Sequence, residues 1–221
     1  MQLISVISAR VVLIMNTADL NRKGMRTFPN LTEAVTNAYD FDPQPEDAPD
    51  TPGDSAQPGI KFKNGQFDVD GESYRVGLEI YDDGIVADSS VSTAITERFL
   101  KHATEWANTN FGLKFDPALV VRRIDNSELV VQFDTPVATA LGPIQKFSEF
   151  ISSLPGLGNL PLSLSTLAFG SPSGIGGQPL ILSIERRSNT PVASNIFYCR
   201  APLNTDAHLR VLEEFDRLLA Q

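Results

Sequence analysis

Apolar residues follow two rhythms along this chain, and the switches between them mark its elements. From Leu3 to Met15 ("LISVISARVVLIM") Val, Ile and Leu follow one another with little but Arg10 to interrupt them, which predicts one long buried strand or two short ones. "NLTEAVTNAYDF" then sets Asn30 three residues before Glu33. That is the spacing of a capping box, with the asparagine accepting from backbone N–H groups and the glutamate reaching back, and it predicts a short helix to about Phe41.

From Ile60 the period shortens to two. "IKFKNGQFDV" carries Asn64-Gly65, a strong hairpin signal, and "SYRVGLEIY" alternates with Tyr74, Val76, Leu78 and Ile80 on one face. Asp83-Gly84 then turns the chain into "IVADS". The period lengthens again between Ser92 or Thr93 and Asn110. There Ile95, Phe99, Ala103, Trp106 and Ala107 recur at helical spacing, Gly112 supplies a stop, and Glu97 and Lys101 make a favourable i,i+4 pair.

"ALVVRRIDNSELVVQFD" reads as a second hairpin around Asp125-Asn126, and "PIQKFSEFISSL" as a short helix opened by Pro143. "LSLSTLAF", "PLILSIERR" and "NIFYCRAP" read as strands. A last helix from Thr205 to Leu219 aligns Val211, Leu212, Phe215, Leu218 and Leu219, with Glu213 and Arg217 paired outside. Strands outnumber helices and come as hairpins. The expected fold is therefore α+β, a largely antiparallel sheet with about four helices packed mainly on one face.

Composition changes this picture in one place. The 221 residues suit a single domain spanning 1–221, yet residues 40–59 ("DFDPQPEDAPDTPGDSAQPG") hold five Asp, one Glu and five Pro with no Lys or Arg. Such a segment buries too little to offset its ordering entropy, so a flexible acidic, Pro-rich loop is expected at about 42–58. A Gly/Ser/Pro-rich loop region is expected at about 155–179. The net charge of −9 falls to −3 without residues 40–59, and the body shows no basic stripe of the kind phosphate neutralisation needs. Nucleic acid is excluded as a partner on that ground. Cys199 is the single cysteine, which excludes an intramolecular disulfide and fits a reducing compartment. The apolar N-terminal run is too short and broken for a membrane span and lacks a basic flank, so no membrane partner and a cytoplasmic address are expected.

The candidate chemistry centres on "GLEIYDDGIVADSSVSTAITERF", where Glu79, Asp82, Asp83 and Asp88 precede a run of hydroxyls. If Asp83-Gly84 is a two-residue turn, Glu79 opposes Asp88, and facing carboxylates call for a cation, a proton or water between them. If Asp82, Asp83 and Gly84 form a three-residue loop, Leu78 faces Asp88 instead. A hard cation wants more oxygens than two, charge at a hairpin tip is usually solvated, and "SSVST" suits a helix N-cap, so no metal ligand is assigned. "DVDGES" fails as a calcium loop, because Gln66 and Gly77 fall where its first acid and bidentate glutamate belong. "GSPSGIGG" has Pro172 where a nucleophile elbow needs Ser and leads into a strand rather than a helix, so it reads as a hairpin loop.

Cys199 with His102 or His208 would make a thiol–imidazole pair. Alternation with Phe197 and Ala201, however, puts Cys199 on a buried and inert face. Arg122-Arg123 and Arg186-Arg187 each split across a sheet, and pairing with Glu185, Glu128 or Asp125 is their plainer role. No catalytic residue and no cofactor follow from these motifs. The expected function is a non-catalytic protein-binding or assembly subunit acting through another protein. The alternative is an enzyme with a carboxylate-based, divalent-metal-assisted site around the Glu79–Asp88 hairpin.

Overall fold

The computed structural model describes residues 1–21, 30–42, 46–47, 59–154, 162–175 and 178–221. In chain order the elements are β1 (Gln2–Ile14), α1 (Leu31–Ala38), β2 (Glu46–Asp47), β3 (Ile60–Val69), β4 (Glu72–Tyr81), β5 (Gly84–Ser89), α2 (Thr93–Phe111), β6 (Arg122–Gln132), α3 (Val137–Ala140), α4 (Gly142–Ser152), β7 (Thr166–Ile175), β8 (Gln178–Arg186), β9 (Ile196–Ala201) and α5 (Thr205–Leu219). The fold is α+β, with antiparallel strand pairs and helices. The chain divides into two compact units, one of residues 8–126 and one of residues 1–7 with 127–221.

In the first unit the strand order is β2-β3-β4-β5-β1. Alternation turns Val11, Leu13, Val76, Leu78, Ile85 and Ala87 to one face, where they meet Phe99, Leu100 and Ala103 of α2. This helix begins where the sequence places it: the Ser92 hydroxyl accepts from the Ile95 N–H, and Gly112 closes it in the left-handed conformation. It is tied to the sheet by Thr96, fully buried, whose hydroxyl donates to the Ala9 carbonyl at 2.7 Å and lies 2.9 Å from Ser89 Oγ. Helix α1 forms as expected, but Asn30 makes no side-chain cap, so the capping box is not built.

Asn64-Gly65 is not a turn. It is an irregularity inside β3, where the register shifts between Phe62 and Gly65, Asn64 takes a φ of 57°, and its side chain donates to Asp42 at 2.7 Å. The ring of Phe41 lies where a Cβ on Gly65 would stand, so the glycine serves close packing. The β3–β4 turn falls instead at Asp70-Gly71, both with positive φ. Asp125-Asn126 is no turn either, because β6 runs straight through it. Its apolar positions extend on both sides of the dipeptide, so a strand satisfies the pattern without reversing.

In the second unit β6, β9, β8 and β7 follow in that order. Leu129, Val131, Phe133, Ile184, Phe197 and Cys199 face Leu212 of α5. Asn195, with a φ of 54°, donates to the carbonyls of Phe133 and Thr135 and accepts from the Val137 N–H, fixing the end of β6. Val211 and Leu218, expected inside, are exposed, while His208 and Asp216 are buried. Arg217 pairs with Glu214, not Glu213. Most of the acidic segment and part of the 155–179 region, Gly176 and Gly177 included, lie outside the described residues. Within them, Glu46–Asp47 pairs with Ile60–Lys61, and β7 extends through the motif read as a loop.

Candidate functional site

The β4–β5 turn resolves the question the acidic hairpin poses. Tyr81 pairs with Gly84, so the two loop residues are Asp82 and Asp83, one position earlier than the Asp-Gly signal suggests. Gly84 belongs to the strand because a Cβ there would stand 2.6 Å from the Leu13 carbonyl of β1. The glycine is spent on close approach between strands, not on a turn conformation. Asp82 and Asp83 are exposed, and their carbonyls accept from the N–H groups of Thr17 and Met15.

Asp88 therefore opposes Gly77, and Glu79 opposes Val86, which is neither of the two expected registers. A Cβ on Gly77 would meet Asp88 Oδ1 at 2.5 Å, so the carboxylate lies over the glycine. Both acids sit on the sheet face opposite α2. Lys61 Nζ is 3.6 Å from Glu79, the Tyr81 hydroxyl donates to Glu79, and Arg10 pairs across from Asp88. Burial raises the Asp88 carboxyl above its ordinary value; Arg10 opposes this and Glu79 adds to it. Burial works against the charge on Lys61, but the Glu79 carboxylate and the Tyr81 hydroxyl outweigh it and hold the ammonium above its usual value. The buried Nε of Arg10 has no partner among the described residues. The structure thus brings Glu79 and Asp88 together with two cations and leaves Asp82 and Asp83 at the tip. Among the described residues no group of three or more His, Cys, Asp or Glu is placed to hold a metal ion.

Burial pushes the Cys199 thiol up to about 12, away from the thiolate that a nucleophile needs. His102 lies with Nδ1 2.9 Å from the Tyr39 hydroxyl. His208 is fully buried, with Nδ1 2.8 Å from Ser127 Oγ. Because the serine hydroxyl donates to the Leu203 carbonyl at 3.0 Å, Nδ1 carries the imidazole proton, and Nε2 keeps a lone pair with no partner among the described residues. Ser127 and His208 are inaccessible, so the pair is structural. Arg123 binds Glu97 through two nitrogens and Asp125 through its Nε. Asp125 was a foreseen partner. Glu97 was expected to pair with Lys101, which pairs instead with Glu105. Arg98 takes Asp70 at 2.6 Å, tying the failed calcium loop to α2.

Two exposed surfaces and two hollows also stand among the described residues. Helix α4 buries none of its residues; Phe147 and Phe150 are each 60% exposed and Ile144 44%. In the second unit β7 closes the strand order, with Phe169 exposed. In the first unit a cavity of about 690 Å³ opens between α2 and residues 115–123, its floor Val11 and Leu13 and its rim Lys101, Glu105 and Arg122. A second, of about 260 Å³, lies beside the core and is walled by Leu31, Val35, Leu78, Ile85 and Trp106. The apolar residues of α4 are visible in the sequence, but helical periodicity shows that a face exists and not what covers it. Ser127, Thr96 and Asp216 carried no sequence signal either, because each stands beside other polar residues, Asn126 and Glu128, Glu97 and Arg98, and Arg217.

The architecture defines an α+β protein, and beyond that class no family model, curated protein or solved structure matches this chain. No helix of the described residues is long and apolar enough to cross a membrane.

Proposed function

We propose that this protein is a non-catalytic binding or assembly subunit that acts through another protein. The observation that carries the reading is α4. A helix on the surface of a globular domain ordinarily turns its apolar stripe to the core, whereas this one keeps Ile144, Phe147 and Phe150 in solvent. Burying two phenylalanines is among the larger favourable terms a protein interface can gain. The test compares tagged wild-type protein with the Phe147→Ser/Phe150→Ser variant, both purified gently from the native host and read by mass spectrometry. A stoichiometric partner present with wild type and lost with the variant supports the reading. Identical recovery from both, or no partner with either, overturns it.

A second reading rests on the Glu79–Asp88 pair. Two neighbouring carboxylates, one raised by burial, beside Lys61 and Arg10 are groups able to hold and transfer a proton. If a divalent ion assists them, Mg²⁺ or Mn²⁺ raises the melting temperature of wild type and leaves that of Asp88→Asn unchanged. Equal responses remove the metal from this reading.

A further inference from the structure

Beside the first unit's core lies a hollow of about 260 Å³, partly open to solvent and lined mainly by apolar side chains. Among the described residues its walls are mainly aliphatic and aromatic, and the polar residues on them, Thr17, Asn21, Tyr39 and Thr104, are already engaged. The Thr17 hydroxyl donates to the Tyr81 carbonyl at 2.9 Å, the Thr104 hydroxyl donates to the Lys101 carbonyl at 2.8 Å, and the Tyr39 hydroxyl meets His102. Ordered water needs two to four polar partners, of which this lining offers few, so the hollow favours an apolar guest. The larger cavity adjoins it: Leu100, Thr104 and Phe115 line both. That second space is polar at its rim, where Lys101, Glu105 and Asn108 of α2 stand opposite Arg122 and Arg123.

We propose that the two hollows form one binding site for a single-chain alkyl amphiphile. The hydrocarbon chain occupies the apolar hollow against Trp106, Leu78 and Ile85, and the polar head remains in the larger cavity at the Lys101 rim. The chemistry that selects the ligand is the contrast between the two spaces. A polar atom against the apolar lining of the smaller hollow would exchange water for few protein partners, whereas a head group in the larger cavity keeps both water and charged neighbours. This site lies wholly within residues 8–126 and does not depend on a protein partner.

Trp106 is the only tryptophan, so its emission reports the smaller hollow directly. The experiment titrates full-length protein with n-decanol and with decanoate below their aggregation concentrations. It follows Trp106 fluorescence and, in parallel, the melting temperature. The expected result is a saturable one-to-one change with a rise in melting temperature, and its loss in Ala107→Phe, which fills the smaller hollow from its wall; Ala103→Leu is carried alongside as a smaller filling. Saturation with both probes assigns selection to the chain, and saturation with decanoate alone adds the Lys101 rim to it. A non-saturating change, a fall in melting temperature in wild type, or binding undiminished in a folded filled variant overturns the proposal. The wild-type melting curve decides the matter even if both variants fold poorly, because a ligand of the folded state raises it by mass action.

Discussion

His208 shows how far one residue's role depends on its surroundings. Burial depresses the imidazole to about 4 from an ordinary 6.5, because a charged ring would lie in the core with Nε2 unpartnered. The unfolded chain therefore binds a proton that the folded chain refuses between pH 6.5 and about 4. Stability present above pH 6.5 is lost as pH falls through that window, with a total of ~3 kcal/mol for a shift of this size. Asp216 adds to acid lability. Burial works against its charge, but the Met1 ammonium and the N–H groups of Asp134 and Thr135 outweigh it and hold the carboxyl below its usual range. Denaturant melts of wild type and His208→Gln at pH 7.5, 6, 5 and 4 check the His208 share. The variant is expected to show a flatter fall between pH 6.5 and 4; parallel curves would mean that His208 is not the titrating group. Asp88 acts in the opposite sense, since its raised carboxyl favours the folded state below its unfolded value and withdraws that support as pH rises.

At the scale of elements, α4 separates folding from interaction. Because Phe147 and Phe150 bury little in the folded chain, replacing both with Ser is expected to change unfolding free energy by no more than about 0.5 kcal/mol, the range of ordinary surface substitutions. Urea denaturation checks this, and a loss above about 2 kcal/mol would show the helix to be packed on the body. Most elements were legible from periodicity and punctuation: α2 from its apolar spacing with Ser92 and Gly112, α5 from its stripe, and β4 from its alternation. The reversals were not. Asn64-Gly65, Asp83-Gly84 and Asp125-Asn126 all carry turn chemistry, yet the turns fall at Asp70-Gly71 and Asp82-Asp83, and no turn occurs at residues 125–126. Glycine answers equally to positive φ and to a close neighbour, and at Gly65 and Gly84 the neighbour decides.

At the scale of the molecule, the second unit draws residues 1–7 into a body otherwise made of residues 127–221. Met1 packs against that unit's core, and its ammonium lies 2.8 Å from Asp216, whose carboxylate also accepts from the N–H groups of Asp134 and Thr135. Deleting residues 1–7 is expected to destabilise the Leu129–Phe133–Leu212 core by about 2 kcal/mol or more, the scale of one buried Met side chain. Hydrogen exchange at the β6 and α5 amides reads this locally. Unchanged protection there would show that the core closes without the N-terminal strand.

The α+β class, the helices α2 and α5, the buried face of Cys199 and the lack of a disulfide all followed from the chain alone, because each rests on local periodicity, capping or count. Tertiary structure alone decided that Glu79 and Asp88 share a face while Asp82 and Asp83 do not, that Arg123 takes Glu97, and that Ser127 holds His208. The physical reason is the same in each case. A strand's period of two makes a one-residue change of register exchange its faces, and register is set by how closely the neighbouring strand can approach, which at Gly84 depends on the Leu13 carbonyl 71 positions earlier in the chain.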